Sequence, residues 1–388
     1  MSVCSPKGFR AAGVTAGIKA SGRPDVALVV NDGPLAVAAG VFTENRFAAA
    51  PVLWSRQVVA DGEVRAVILN SGGANACTGP EGFADTHHTA EHVAEVLGAA
   101  GVDVGAGDIA VCSTGLIGER LPMEKLIAGV DAAVAELSPE GGPDAAVSIM
   151  TTDTVPKTAS VSTGGYTVGG MAKGAGMLAP ALATMLVVVT TDAVIDGELA
   201  DSALRIATSL TFDRIDSDGC MSTNDTVLLL ASGASGVAPD PASFTDALTE
   251  VCADLARQLI GDAEGASKDI EITVRNAVTE ADALLAARAV SRSNLLKCAI
   301  HGEDPNWGRI LSAVGTVPAA FEPENVDVAI NDVWVCRSGG VGDSRDLVDM
   351  SGRLVRIVVD LGAGSASASV LTNDLTADYV HENSAYST

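Results

Sequence analysis

Met171-Ala172-Lys173-Gly174-Ala175-Gly176-Met177-Leu178-Ala179-Pro180-Ala181-Leu182-Ala183-Thr184-Met185-Leu186-Val187-Val188-Val189-Thr190-Thr191 is the stretch around which the chain is organised. Its halves have opposite character. Residues 172–183 are small, glycine-rich and broken by Pro180, which predicts an irregular, closely packed loop. Residues 184–191 are apolar and β-branched, which predicts a buried strand. Thr184 lies on the seam, after Ala183. A threonine opening a buried strand after a small residue is laid out for self-cleavage: Oγ attacks the preceding carbonyl, an N→O acyl shift and hydrolysis follow, and a new chain begins with Thr184. The freed α-amine titrates near pH ~8, so it can serve the adjacent hydroxyl as general base. The competing reading of the same pattern is an ordinary loop entering a core strand.

Outward from this seam, strands and helices mix without strict alternation. Toward the N-terminus, residues 8–43 read as a meander or hairpins, and Val64–Leu69 as a strand running into the glycine-rich Asn70–Gly79. That loop lacks the G-x-G-x-x-G and G-K-[ST] spacings of nucleotide-binding turns. Asp85–Leu97 and Pro122–Leu137 read as helices, Ile109–Cys112 as a strand ending in Ser113-Thr114-Gly115, and residues 158–168 as a hairpin around Gly164-Gly165. Toward the C-terminus come a helix near Glu198–Leu210, a strand at Asp225–Leu230, and a helix at Phe244–Ile260 capped by Ser243. A strand at Ile270–Val274 and a helix at Glu280–Leu296 capped by Thr279 follow. Strands at 326–330, 333–337, 354–360 and 367–371 precede a polar tail, Ala377–Thr388. The pattern gives an α+β, or layered α/β, fold with stacked β-sheets flanked by helices.

Composition narrows the function. The 388 residues suffice for one large or two medium domains. A formal charge of −25 argues against nucleic-acid partners and anionic membrane surfaces. Apolar runs are strand-sized and the first residues carry no targeting pattern, so a cytoplasmic protein is expected. Seven scattered cysteines without a C-x-x-C suit a reducing compartment. His88-Thr89-Ala90-Glu91-His92 spells an inverted zinc-protease pattern, but with no third ligand signalled it reads as a solvated helix face.

The wording of the central stretch is more specific than its spacing. Lys173-Gly174-Ala175-Gly176-Met177, Pro180 and Ala183-Thr184-Met185-Leu186 resemble the cleavage and nucleophile motif of the ornithine acetyltransferase family, the glutamate N-acetyltransferases of the cyclic arginine pathway. Asn70–Gly79, Ser113–Gly118, Thr151-Thr152-Asp153-Thr154, Ser222–Thr226, Asp304–Arg309 and Glu382-Asn383-Ser384 resemble further motifs of that family, in order along essentially the whole chain.

The resemblance implies an ornithine-acetyltransferase/DmpA-like fold, self-cleavage between Ala183 and Thr184, and two pieces, 1–183 and 184–388, forming one interlocked catalytic unit. It implies a ping-pong reaction: N2-acetylornithine acetylates Thr184, ornithine leaves, and glutamate takes the acetyl group. Thr114 and Gly115 fall at the oxyanion-hole positions, and Thr151, Lys173, Thr184, Glu264, Asn383 and Thr388 at substrate-contact positions. A lysine suits a substrate carboxylate, and Glu264 suits an ammonium such as that of ornithine. No metal or dissociable cofactor is implied; acetyl-CoA is a further substrate in some members. The implied assembly is an α2β2 heterotetramer. Three alternatives stay open: a paralogue with a shifted acceptor in a secondary-metabolite pathway, an autoprocessed amidase or aminopeptidase, and an unprocessed ligand-binding or structural protein.

Overall fold

Two compact units make up the fold, one running to Asp213 and resuming over Cys220–Leu259, the other comprising Arg214–Gly219 and the chain from Ile260. The computed structural model describes residues 2–179 and 185–385. The cleavage pair Ala183/Thr184 and the terminal Thr388 lie outside the described residues.

The first unit holds strands β1 (Phe9–Val14), β2 (Val26–Asn31), β3 (Val37–Phe42), β4 (Ala66–Ser71), β5 (Ile109–Thr114), β6 (Lys157–Thr163), β7 (Tyr166–Lys173), β8 (Leu186–Thr191) and β9 (Thr226–Ala231). Its helices are α1 (Ala50–Val58), α2 (Gly79–Ala99), α3 (Met123–Ala135), α4 (Gly142–Ser148), α5 (Gly197–Leu210) and most of α6 (Pro241–Gly261). The strands form a four-stranded sheet, β1-β2-β4-β5, and a five-stranded sheet, β3-β9-β8-β7-β6. Val29, Leu69 and Cys112 of one meet Met171, Val188 and Leu228 of the other in a shared core. The opposite face of the four-stranded sheet packs on Val93 and Leu97 of α2 and Val130 of α3. On the five-stranded sheet, Tyr166 packs on Phe244 of α6 with ring centroids 6.2 Å apart. The layers run helix, sheet, sheet, helix. Strands covered on both faces are buried at every residue, as in β4, β5, β8 and β9, which is why they read as unbroken apolar runs.

Helix side chains seal two strand edges. Ser55 of α1 donates to Val111 O and accepts from Val111 N on β5. Gln258 of α6 bonds both Thr158 N and Thr158 O on β6.

The second unit contains β10 (Asp269–Ala277), β11 (Asp327–Ile330), β12 (Val333–Arg337), β13 (Gly340–Val341), β14 (Leu354–Asp360) and β15 (Ala366–Asn373) in one sheet, ordered β13-β12-β11-β14-β10-β15. Helices α7 (Glu280–Ser291), α8 (Asn294–His301) and α9 (Trp307–Val314) add Ala286, Ile300 and Ile310 to the core on one sheet face. Burial alternates along β10, with Ile270, Ile272 and Val274 buried. Helix α10 (Ala377–Ala385) closes the described chain.

Several expectations need correction. The helix expected over 280–296 is two helices, because Ser293 accepts from Leu296 N and starts α8 afresh. Thr279 caps α7 as expected, accepting from Asp282 N. Helix α6 starts three residues before Phe244, and its first turn is capped by Asp240, which accepts from Ser243 N, in place of Ser243. The polar tail is helical to Ala385: Thr376 accepts from Tyr379 N and caps α10. Ala172 and Lys173 belong to β7 rather than to the loop. Helix α1 was not anticipated. On α2, His88 is exposed and His92 Nε2 lies 2.7 Å from Asp131 of α3, a solvated pair.

Candidate functional site

Five strand termini converge in the first unit. Parallel β4 and β5 end together, with Ser71 opposite Thr114. In the facing sheet, Lys173 pairs with Leu186 and Leu186 with Thr226, so β7 ends where β8 and β9 begin.

Beyond β4 the chain turns through Gly72 and Gly73, whose N–H groups both donate to Thr114 O, at 2.9 and 3.0 Å. Gly115 follows with φ +132°, and a Cβ there would lie 2.5 Å from Gly73 N, so only glycine fits. Side chains lock this turn. Ser113 Oγ donates to Asn70 Oδ1 at 2.6 Å, and Asn70 Nδ2 to Gly73 O at 3.1 Å. Asn224 Nδ2 donates to Ala74 O at 2.6 Å and to Ser113 O at 2.8 Å, tying the approach to β9 to the same place.

Lys173, 1% exposed, donates from Nζ to Thr114 Oγ1 at 3.1 Å. That contact uses a lone pair of Thr114 and leaves its O–H free to donate onward. Asp153 gathers the rest. It accepts from Lys157 Nζ at 2.6 Å, Gly174 N at 2.7 Å and Thr151 N at 2.9 Å. Burial pushes its carboxyl up, but the charges of Lys173 and Lys157 and the bonds from Lys157 and Gly174 hold it down at about 2.

Asp225, fully buried, accepts from Met185 N at 3.1 Å through Oδ1, and its Oδ2 has no hydrogen-bond partner among the described residues. Burial raises this carboxyl well above the usual range, against the opposing Met185 bond. Lys157 and Lys173 both act on Asp153 in this cluster, inside a chain of net charge −25.

Of the residues expected from sequence, Thr114, Gly115, Thr151 and Lys173 therefore share one network. Thr184 lies outside the described residues, while Met185 after it is held by Asp225. Glu264 and Asn383 belong to the second unit, where Asn383 Nδ2 donates to Glu264 Oε2 at 2.9 Å. Helix α10 closes tightly over this point: a Cβ on Gly265 would stand 2.2 Å from Tyr379 N. Glu264 lines a cavity of about 420 Å³ with Lys297, Asp374, Arg292 and Tyr379.

Asp153, Lys157, Asp225 and Asn224 were missed as site residues. Asp153, Asn224 and Asp225 stood within motifs already singled out, and a lone acid entering an apolar strand was the available signal. Nothing in the sequence pairs Lys157 with Asp153 across the bend between them.

The model of the ArgJ family matches residues 10–388. The chain belongs to the ArgJ family. It is an acyltransferase of arginine biosynthesis, with the glutamate N-acetyltransferase and ornithine acetyltransferase activity and the self-cleavage of that family. The arginine biosynthesis bifunctional protein ArgJ of Streptomyces coelicolor is 67% identical over 387 residues, covering 100% of each chain. The ArgJ protein of Thermobifida fusca is 64% identical over 388 residues, again covering 100% of each. The solved ornithine acetyltransferase of Mycobacterium tuberculosis, complexed with ornithine, is 61% identical over 48% of this chain and 96% of that chain, with a TM-score of 0.46. Among the described residues, no helix is long and apolar enough to cross a membrane, and no cluster of His, Cys, Asp and Glu could hold a metal ion.

Proposed function

We propose that Thr184 is the nucleophile of a ping-pong acetyl transfer from N2-acetylornithine to glutamate, freed by self-cleavage after Ala183. The contact of Lys173 Nζ with Thr114 Oγ1 carries this reading. A cation on the lone-pair side of a buried threonine hydroxyl makes that hydroxyl a stronger donor, and the strand end fixes its position. Thr114 O–H and Gly115 N–H are the oxyanion donors, each contributing about 3–4 kcal/mol of transition-state stabilisation.

The sequence of steps balances without a metal or dissociable cofactor. The α-amine of Thr184 takes the hydroxyl proton as Oγ attacks the acetyl carbonyl. The tetrahedral oxyanion rests on Thr114 and Gly115, the amide C–N bond breaks, and the proton passes to the departing amine of ornithine. The α-amine of glutamate then attacks the acetyl ester by the same route in reverse, releasing Thr184 and N-acetylglutamate. Lys173 and Thr151 are assigned to the substrate carboxylate, Glu264 to a substrate ammonium, and Asn383 and Thr388 to substrate contact.

The pieces 1–183 and 184–388 stay together after cleavage. Supporting this, β8 and β9 of the second piece lie between β3 and β7 of the first in one sheet, so hydrogen-bonded pairings cross between the pieces on both sides. The assembly is a cytoplasmic α2β2 heterotetramer. Steady-state assay of N-acetylornithine turnover with and without glutamate tests the reading. Turnover that depends on glutamate is expected; fast hydrolysis indifferent to glutamate would instead mark an amidase.

A further inference from the structure

The loop between β1 and β2 takes no part in the chemistry above, yet it is firmly built. It wraps the buried carboxylate of Asp25, which accepts from Ala16 N and Ile18 N at 2.6 Å and from Lys19 N at 3.0 Å. Asp25 O accepts from Ser71 N at 2.9 Å, fixing the loop to the end of β4. This sets Lys19 against the glycine turn: a Cβ on Gly72 would lie 3.2 Å from Lys19 Cγ and 3.3 Å from Lys19 N. Gly72 is the residue whose N–H holds Thr114 O. The lysine stem therefore runs along the turn that carries the proposed oxyanion donors.

The ammonium of Lys19 is half-buried and donates to Pro24 O at 2.8 Å. It has no carboxylate partner among the described residues. Two buried lysines elsewhere, Lys157 and Lys268, sit on Asp153 and Glu303. Burial, followed by the charge of Arg23, lowers the Lys19 pKa to about 8; Asp25 and Asp153 oppose the shift and Lys173 adds to it. A cation held near Lys173, with no acid on it among the described residues, is arranged for an anion that arrives from outside.

We propose that Lys19 is a second carboxylate-binding cation of the first-unit site and selects a dicarboxylic acyl acceptor. This rests on the acetyl-transfer reading and deepens it. Ornithine and glutamate share an α-amine and an α-carboxylate. They differ in the side chain, an ammonium in one and a second carboxylate in the other. One lysine meets the shared carboxylate. The extra carboxylate of glutamate calls for another cation, and Lys19 supplies it.

The test compares wild type, Lys19→Met and Lys19→Arg in the full-length processed enzyme, with N-acetylornithine as donor and glutamate or glutamine as acceptor. Lys19→Met should raise KM for glutamate about tenfold and that for N-acetylornithine by less than about threefold, the loss expected for one partly buried charge pair. It should also narrow the preference for glutamate over glutamine, which lacks the second carboxylate. Lys19→Arg should restore most of both, with melting temperatures unchanged throughout. Equal rises in the two KM values, an unaltered glutamate KM, or an intact preference over glutamine would each overturn the role of Lys19. A wild-type enzyme that passes no acetyl to glutamate overturns the underlying reading as well, a failure visible before any variant is assayed.

Discussion

Two ion pairs, one in each unit, treat charge in opposite ways. In the first, Asp153 and Lys157 form an ion pair with both side chains 0% exposed, inside a stack covered on both faces. In the second, Glu271 and Arg356 face each other across β10 and β14 at 3.7 Å, with side chains 39% and 58% exposed. The sheet of the second unit has one apolar face on its helices and can leave charges in water. The interior of the first unit's stacked sheets offers no such face, so an ion buried there must be held by others. Burial of charge is unfavourable unless it is paired and hydrogen-bonded. Its concentration at these five strand termini therefore marks where the fold gives up stability for chemistry.

The comparison breaks first at Asp153. Asp153→Ala leaves Lys157 buried and unpaired and releases the N–H groups of Thr151 and Gly174. Denaturant unfolding should show a loss of about 3–5 kcal/mol. The wild-type pair also has an acid limit. The carboxyl is depressed from 3.8 to about 2, so its contribution is present above pH ~4 and is lost as pH falls through its folded value. Unfolding measured across that window should steepen in wild type and flatten in the variant. A smaller loss, independent of pH, would mean the pair is no more than a surface bridge.

Gly115→Ala comes next. The added Cβ must move backbone at Gly72 and Gly73, displacing the proposed donors. A fall of about 100-fold in kcat with little change in KM is expected; a pure KM effect would take Gly115 out of the oxyanion hole. Asp225 sharpens the contrast in the other direction. Its carboxyl is raised, so the folded state resists ionisation: stability is full below the unfolded value near ~4 and declines as pH rises toward the folded value. Asp225→Asn keeps an oxygen for Met185 N–H and cannot ionise. Its melting temperature relative to wild type should therefore be higher at pH 7 than at pH 4, and a pH-independent difference would contradict a raised Asp225 carboxyl. The smallest effect belongs to the open sheet. Arg356→Ala should change stability by less than about 1 kcal/mol, and salt should shrink even that.

Much of this architecture was legible in the sequence because local signals agreed with tertiary needs. The β-branched run 186–191, the turn at Gly164-Gly165 and the cap at Thr279 each specify their element within a few residues. What escaped notice depends on contacts between distant segments. Nothing near Arg292 announces a break in the helix until Ser293 is seen capping α8. Helix α10 carries few apolar residues, and it is seated by Thr376 Oγ1 on Gly265 O, 111 positions away. Lys173 looked like a loop residue because its chain neighbours are glycine and alanine; its place in β7 comes from pairing with Leu186. The grouping of Lys157 and Lys173 is invisible in a chain of net charge −25, since it is the fold that brings both to Asp153.

Intact-mass analysis of the freshly purified protein under denaturing conditions tests the central assignment, Thr184 as the self-freed nucleophile, most directly. Two chains whose masses meet at Ala183/Thr184, with a single uncut chain for Thr184→Ala, are the predicted result. A Thr184→Ala protein that is still cut there, or a wild-type chain that stays whole while transferring acetyl at full rate, would contradict it.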